Sequence, residues 1–373
     1  MNSHDYWLWF CSIEELGYRK KEELLARFGS PEALFYAKED ELTRGELTER
    51  QRSGILRGRN EEALLQYAER LKEKGVRFIG REEEAYPERL KHIYCPPCGL
   101  YVRGALPAPE APALAIVGAR VCSAYGGGLA EYFAGELARA GIMIISGLAE
   151  GVDAAAHAGA LKAGGYTAAV LGCGVDRCYP RENFNLYREA GQRGGILSEY
   201  PLGCAPQRGN FPERNRIIAG LSDGILITEA RKRSGSLITA SLGLEQGKDI
   251  FAIPGRLGDS LSEGCNALIR SGAKLIMTPD DILQEYGRFL PKTKKNRIVF
   301  EKFNKISLET QEKIVYDSLG LTPKHIDAIA GECRMAFSEL SGILLALEVK
   351  GYVSRSAQNY YAICPGPESE KGS

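Results

Sequence analysis

The chain lacks the features that would assign its 373 residues to several common classes of protein. Net charge is +0, because 48 Lys and Arg residues balance 48 Asp and Glu residues, and there are only four histidines. A polyanionic partner therefore does not follow from net charge, and attraction to phosphate would have to come from a local patch. No window approaches about 18 uninterrupted apolar residues, so we expect no membrane-spanning helix and no membrane partner.

A secretory signal is also missing. The N-terminal residues have no basic segment ahead of a long apolar run and no small-residue cleavage site. The ten cysteines are therefore expected to be reduced thiols of a cytoplasmic protein rather than a disulfide framework. The lone C-x-x-C of Cys95 and Cys98 has no second pair to complete a zinc site, so we predict no metal and no cofactor.

Two nucleotide-binding motifs are absent as well. The pattern G-x-x-x-x-G-K-[ST] does not occur, which argues against ATP hydrolysis, and no G-x-G-x-x-G follows the first strand pattern. The second absence disfavours a redox enzyme that uses a nicotinamide cofactor. A nucleotide-binding or nucleoside-phosphate-hydrolysing Rossmann-like enzyme stays open as the alternative function. Such enzymes usually carry a P-G-G-x-G-T loop, where this chain has IPGR at residues 253–256.

Hydrophobic periodicity divides the chain into segments. Leu, Ala and Phe at helical spacing, with Ser30 as a candidate N-cap and Gly29 and Gly75 as stops, predict a helical domain that resembles sterile-alpha-motif or helix-hairpin-helix units. A C-terminal pattern of three helices and two short strands predicts a winged-helix-like domain. The predicted organisation is a helical domain at 1–80, a Rossmann-like domain at 81–286, a basic linker at 287–305, a winged-helix-like domain at 306–365 and a disordered tail at 366–373.

The central segment alternates short apolar runs with amphipathic helical stretches. Several of these runs are continuously apolar, which is typical of strands in a parallel sheet that helices cover on both faces. We therefore predict an α/β fold with a doubly wound, mainly parallel sheet of Rossmann type. The predicted strands lie at 113–118, 142–147, 166–172, 194–200, 223–230, 248–255 and 273–277.

The stretch from Ala205 to Ala240 is the richest in candidate binding residues. It places arginines and Lys232 around one aromatic residue, Phe211, and a run of small hydroxyl residues. Guanidinium groups, backbone amides and hydroxyls bind phosphate oxygens, while an aromatic face can stack a base. This mixture indicates a nucleic-acid strand as the ligand, and it contains no obvious nucleophile or general base.

Glycine-rich turns follow several predicted strands. Gly118 comes directly after the first strand, with Arg120 and Ser123 ahead of a helix whose N-terminal amides could bind an anion. The next strand ends at Ser146 and Gly147. Asp153 and His157, one helical turn apart, could form an acid/base pair, but we favour an Asp that holds the His in place.

At this point the residues resemble the DNA-processing protein A (DprA/Smf) family. The similarity runs in order over residues 85–285 and is carried by AYPERLKHIYCPPCGLYVRG, AIVGARVCSAYG, SGLAEGVDAAAHAGAL, LGCGVDRCYPRENFNL, ILSEYP, FPERNRIIAGLSDGILITEA, SGSLITASLGLEQGKDIFAIPG and GCNALIRSGA. The resemblance implies a binding protein, not an enzyme. Such a protein would protect incoming single-stranded DNA, load the recombinase RecA in natural transformation and form a homodimer.

By position, the resemblance assigns DNA-binding roles and no catalytic or metal-ligating residue. Gly118, Arg120, Ser123 and Gly126 would form a first phosphate cradle, with Ser146 and Gly147 beside it. The strand path would be lined by Arg208, Phe211, Arg214, Asn215 and Arg216, and the site closed by Ser234, Gly235 and Ser236.

Overall fold

The computed structural model describes residues 1–43, 47–286, 310–320 and 322–363. The predicted linker 287–305 and the predicted tail 366–373 lie outside these residues. Short helices precede the first strand: α1 (Ser3–Ser12), α2 (Tyr18–Phe28), α3 (Pro31–Tyr36), α4 (Glu39–Thr43), α5 (Glu49–Gly58) and α6 (Glu61–Glu73). Ser30 caps α3 by accepting a hydrogen bond from the Ala33 amide, and Gly29 follows α2 with a φ of 83°, a value that favours glycine.

One sheet organises the middle of the chain. Across the described residues it has nine strands, in the order β1-β2-β6-β5-β4-β3-β7-β8-β9. Their bounds are β1 (Arg77–Gly80), β2 (Gly99–Gly104), β3 (Ala113–Val117), β4 (Met143–Ser146), β5 (Thr167–Val170), β6 (Gly195–Ser198), β7 (Gly224–Ile227), β8 (Asp249–Ala252) and β9 (Lys274–Leu275). Strands β3 to β9 run parallel, whereas β1 and β2 join the β6 edge as an antiparallel pair.

Helices connect the strands. They are α7 (Glu88–Lys91), α8 (Ala124–Arg139), α9 (Val152–Lys162), α10 (Phe184–Arg193), α11 (Asn210–Leu221), α12 (Gly235–Glu245), α13 (Glu263–Arg270) and α14 (Pro279–Tyr286). The side chains of β3 show that both faces of the sheet are covered. Ala113, Ala115 and Val117 belong to one buried cluster, and Leu114 and Ile116 belong to another. Alternate side chains point to opposite faces, so a continuously apolar strand requires this double burial.

The predicted α/β fold is confirmed, and all seven predicted strands are present. Two strands of this sheet were not predicted. The strand β1 falls inside the predicted helical segment and pairs with β2, from Arg77 opposite Val102 to Gly80 opposite Gly99. The N-terminal helices pack on this added pair, because Trp9, Phe10, Phe78 and Tyr101 share one buried cluster.

The C-terminal unit is a small winged helix. Its elements are α15 (Thr310–Ser318), β10 (Lys324–His325), α16 (Ile326–Cys333), α17 (Phe337–Val349), β11 (Val353–Ala357) and β12 (Tyr360–Ile363), with strand order β10-β12-β11. Leu340, Leu344 and Leu347 of α17 are fully buried in its core. The third helix contains no Lys or Arg, and Phe337 at its start is exposed, which is unlike a helix that reads bases in duplex DNA.

Candidate nucleic-acid interface

The candidate site is a groove above the carboxyl ends of β3, β4 and β5. The loops that follow these strands supply Arg120, Gly147 and Tyr179, and α11 supplies Phe211 and Arg214 from the side. Ligands of doubly wound sheets bind at this edge because the loops there open into helix N-termini. The groove therefore lies at the edge of the sheet where ligands of this fold class bind.

Two clefts make up the groove, and they share Tyr179. The inner cleft is small, about 60 Å³, and is lined by Arg120, Gly147, Ala149, Glu150, Tyr179, Pro180, Phe211 and Arg214. The outer cleft is about 520 Å³ and is lined by Arg177, Cys178, Tyr179, Arg181, Phe184 and Pro206. The shared residue places the two clefts side by side, and the outer one is the larger.

Aromatic rings follow this path. The ring of Phe211 lies beneath the Arg120 guanidinium, with the Arg120 Cζ 5.3 Å from the ring centroid, and 5.5 Å from the Tyr179 ring. Phe211 is half-buried, so both of these contacts restrict access to it. Tyr179 and Phe184 are 42% and 54% exposed, which leaves their rings open to a base.

The positive charge of the groove comes from arginines. Arg120, Arg177 and Arg181 line it, and Arg208 is exposed two residues from the lining residue Pro206. Within the described part of the chain, none of these four forms an ion pair with a carboxylate. Glu150 is the acidic residue that lines the inner cleft. A chain of zero net charge thus carries a local basic patch, which is what attraction to phosphate requires.

Arg214 forms the floor of the groove, where its buried side chain lines the inner cleft, and a DNA contact at this residue stays a prediction. Its side chain is buried, and its guanidinium donates to the carbonyl oxygens of Gly147, at 2.9 Å, and Val170. A Cβ at Gly147 would lie 2.6 Å from the guanidinium. Gly147 is therefore a glycine because the Arg214 side chain needs its space.

Asp153 and His157 lie below that floor. The Asp153 carboxylate accepts a hydrogen bond from the Gly147 amide at 3.1 Å, while Nδ1 of His157 contacts the Thr167 hydroxyl at 2.7 Å. The prediction that Asp153 holds His157 is therefore wrong, because each side chain has a different partner. Burial, and then the charge of Arg214, lowers the pKa of His157 to about 3, so the ring is neutral at physiological pH.

The predicted first phosphate cradle is filled by the side chain of Glu229. Its carboxylate accepts hydrogen bonds from the Ser123 amide at 2.8 Å and from the Ser123 hydroxyl at 2.5 Å. A Cβ at Gly126 would lie 2.3 Å from Oε2 of Glu229, and one at Gly118 would lie 2.8 Å from the Glu229 carbonyl oxygen. These glycines and Ser123 accommodate a residue of the chain itself, and a phosphate contact at them stays a prediction.

Arg216 lies outside the groove-lining set, and a DNA contact at this residue stays a prediction. It is buried, forms an ion pair with Glu199 at 2.5 Å and donates from Nε to the Cys95 carbonyl oxygen at 3.0 Å. Its guanidinium also lies 4.5 Å from the centroid of the Tyr18 ring. Arg216 therefore ties α2 and the segment before β2 to α11, and its role is structural.

The remaining predicted residues make local contacts. The Ser146 hydroxyl is buried and donates to the Ile116 carbonyl oxygen, and the Asn215 side-chain oxygen accepts from Nε of Arg214. Ser234 caps α12, its hydroxyl 2.8 Å from that of Ser236. Ser234, Gly235 and Ser236 are not among the residues that line the groove. A DNA contact at these positions stays a prediction.

The residues that sequence reasoning missed come from one segment. Arg177, Tyr179, Arg181 and Phe184 lie in RCYPRENF, directly after the loop that follows β5. No binding role was predicted for this segment from the sequence. It alternates arginines with aromatic residues, which is the same signal that indicates binding in the stretch from Ala205 to Ala240. That signal could have identified this segment as a candidate binding segment from the sequence.

The described residues hold neither a candidate metal centre nor a membrane segment. Among them, no three His, Cys, Asp or Glu side chains are placed to bind a metal ion. In the same ranges, no helix combines the length and the apolar character that crossing a bilayer requires. The Cys178 thiol lines the groove, and burial raises its pKa, which makes it a weak nucleophile at neutral pH.

Comparison with known proteins gives consistent matches along most of the chain. The family model described as DNA recombination-mediator protein A matches residues 77–287, and the DprA winged helix domain matches residues 302–359. Protein Smf of Escherichia coli (strain K12) is 38% identical over 287 residues, which cover 76% of this chain and 76% of that protein.

Two solved structures are similar in both sequence and fold. The X-ray structure of DNA processing protein A from Streptococcus pneumoniae has a TM-score of 0.58 and 37% identity, and covers 66% of this chain and 89% of that one. The Helicobacter pylori DNA processing protein A, described for its single-stranded DNA binding mode, has a TM-score of 0.53 and 32% identity. It covers 58% of this chain and 98% of that one.

Proposed function

Because the chain belongs to the DNA recombination-mediator protein A family, we propose that it binds single-stranded DNA in the groove above β3, β4 and β5. The observation that carries this proposal is the set of four arginines in or near the groove, without ion-pair partners among the described residues, beside the open rings of Tyr179 and Phe184. Guanidinium groups bind backbone phosphates whatever the sequence, and every base can stack on a ring. The ligand is therefore a flexible strand held without base preference.

The proposed role is binding and not turnover. The groove offers arginines, aromatic rings, the Glu150 carboxylate and a thiol whose pKa is raised by burial, and this thiol is not an activated nucleophile. Hydrolysis of free nucleotides by the purified protein, with no binding to oligonucleotides, would overturn this proposal in favour of the alternative enzyme.

The strand bound in the groove would be protected and handed to a recombinase. We propose that the protein works in the cytoplasm as a homodimer that loads RecA onto incoming DNA in natural transformation. Support comes from the family's description as a recombination mediator and from the resemblance of residues 85–285. RecA filament nucleation that is unchanged by the protein, or a monomer in light scattering at working concentrations, would count against these two points.

Salt dependence tests the binding proposal directly. If about four phosphates are neutralised, log K for a labelled oligothymidylate should fall with log salt concentration at a slope of about −3. Fluorescence anisotropy gives this slope, with duplex of the same length and free mononucleotides as competitors. We expect neither competitor to displace the strand at equal nucleotide concentration. A slope near zero, or displacement by mononucleotides, would indicate a small-molecule site.

Loss of an exposed ring should weaken binding without unfolding the protein. Phe184 is expected to stack a base, so Phe184→Ala should cost about 1–3 kcal/mol of binding free energy, equally for all base sequences. Phe184→Leu keeps the apolar bulk without the ring and should lose nearly as much. The matched control is Tyr94→Ala, which removes a ring that is 73% exposed and lies outside the groove. If Phe184→Leu binds as tightly as the unmodified protein, the ring contributes no stacking.

A further inference from the structure

Glu229 stands at the position where the strand order of the sheet reverses. From β3 the chain adds β4, β5 and β6 on one side, and it then returns to add β7, β8 and β9 on the other. The reversal therefore falls between β3 and β7, and Glu229 lies just beyond the carboxyl end of β7. In doubly wound sheets this crevice, beside the N-terminus of the helix that follows the first strand, is where nucleotide phosphates bind.

The Glu229 carboxylate occupies the place of such a phosphate. It accepts hydrogen bonds from the amide and the hydroxyl of Ser123, the N-cap of α8, and it lies against the Gly126 Cα where no Cβ could fit. The backbone of Glu229 is also held in place, because the Ala119 amide donates to the Glu229 carbonyl oxygen at 2.8 Å. The side chain is only 4% exposed, so an incoming ligand cannot reach the crevice past it.

The charge of Glu229 is balanced by the helix rather than by a cation. No Lys, Arg or His of the described residues forms an ion pair with it, and its partners are the Ser123 donors and the positive N-terminal end of α8. These are the groups that would otherwise bind a phosphate. A second anion in the crevice would meet the like charge of this carboxylate, and both Ser123 donors are already bonded to it.

We propose that Glu229 determines specificity by acting as an internal anion that closes the nucleotide site of the sheet. Free nucleotides and pyrophosphate are excluded from the crevice, and phosphates are accepted only as part of a strand in the outer groove. The second half of this statement rests on the proposed function. The exclusion of free nucleotides and pyrophosphate does not rest on it. This exclusion also explains why the groove lies toward β4 and β5 rather than at the crevice between β3 and β7.

The test is a gain of phosphate binding when the internal anion is removed. Glu229→Ala should leave the Ser123 amide and hydroxyl and the start of α8 open, so inorganic phosphate and pyrophosphate should bind at least about tenfold more tightly than to the unmodified protein. Calorimetry and thermal shifts against chloride at matched ionic strength measure this. Glu229→Gln is the control, because its amide keeps the space filled and should give no gain. Adding Ser123→Ala to Glu229→Ala should reduce the gain.

Two results would overturn the inference. One is equal phosphate binding by the unmodified protein and by Glu229→Ala, and the other is a folded Glu229→Ala variant that gains nothing. If Glu229→Ala unfolds in chloride, refolding in phosphate is the measurement, and failure of phosphate to restore the fold counts against the inference. No DNA is present in these assays, so a failure of strand binding would be detected separately.

Discussion

Replacing Arg214 by alanine is expected to lower the free energy of unfolding by about 3–5 kcal/mol, although the residue lines a surface groove. The guanidinium is buried and donates to the carbonyl oxygens of Gly147 and Val170, just beyond β4 and at the end of β5. Alanine would leave both acceptors without a donor at about 1–3 kcal/mol each, and it would open a cavity under the groove. Urea denaturation measures the loss.

Two further variants separate the sources of this loss. Arg208→Ala removes an exposed arginine just before α11 and should leave the unfolding free energy unchanged within about 0.5 kcal/mol. Arg214→Met keeps much of the volume but has no donors, so it should recover the cavity contribution and remain destabilised. If Arg214→Met is as stable as the unmodified protein, the two carbonyl hydrogen bonds contribute nothing, and the structural role assigned to Arg214 is wrong.

The sheet could be predicted from sequence because its signal is local. In β3 and β7 every residue is buried, on alternating faces, so the apolar run itself predicts a parallel strand covered on both sides. The pair β1 and β2 has no such signal. β1 is four residues long and starts at an exposed arginine, and it is a strand because β2 pairs with it from about 20 residues away.

The sequence predicts binding residues at the strand ends, but it does not show which group approaches each of them. Glycines at strand ends correctly mark places where another group approaches the backbone, yet their spacing does not say which group. In the structure, Gly126 makes room for Glu229 and Gly147 for Arg214, and each partner is far away in the chain. A glycine that accommodates a ligand and one that accommodates a distant side chain look the same in the sequence.

The same limit explains Arg214 and Arg216. Both lie in FPERNR, where a run of charge near an aromatic residue favours a binding surface, and both are buried, Arg214 against the ends of β4 and β5 and Arg216 against the segment before β2. Arg216 is held by Glu199 and the Cys95 carbonyl oxygen, neither of which is near it in sequence. Exposure, and not residue type, separates these arginines from Arg120 and Arg181.

Removing the three groove-lining arginines together should abolish most strand binding. Each guanidinium in the triple variant Arg120→Ala, Arg177→Ala and Arg181→Ala can make a charge-assisted hydrogen bond to phosphate, so affinity should fall by about 1000-fold or more. The slope of log K against log salt should change from about −3 toward about −1, since about 0.7 is lost per contact. All three side chains are exposed, so the unfolding free energy should be unchanged.

A control of equal charge makes this result specific to the groove. The triple variant Arg50→Ala, Arg70→Ala and Arg77→Ala also removes three exposed positive charges, from the N-terminal helices and β1. If strand binding depended on overall charge, the two triple variants would lose affinity equally and change the salt slope alike. If the groove holds the strand, the control keeps nearly all of its affinity, because long-range attraction between exposed charges is screened beyond about 10 Å at 0.1 M salt. Equal losses of affinity would therefore contradict the proposal that the groove is the binding surface, even if the protein binds DNA.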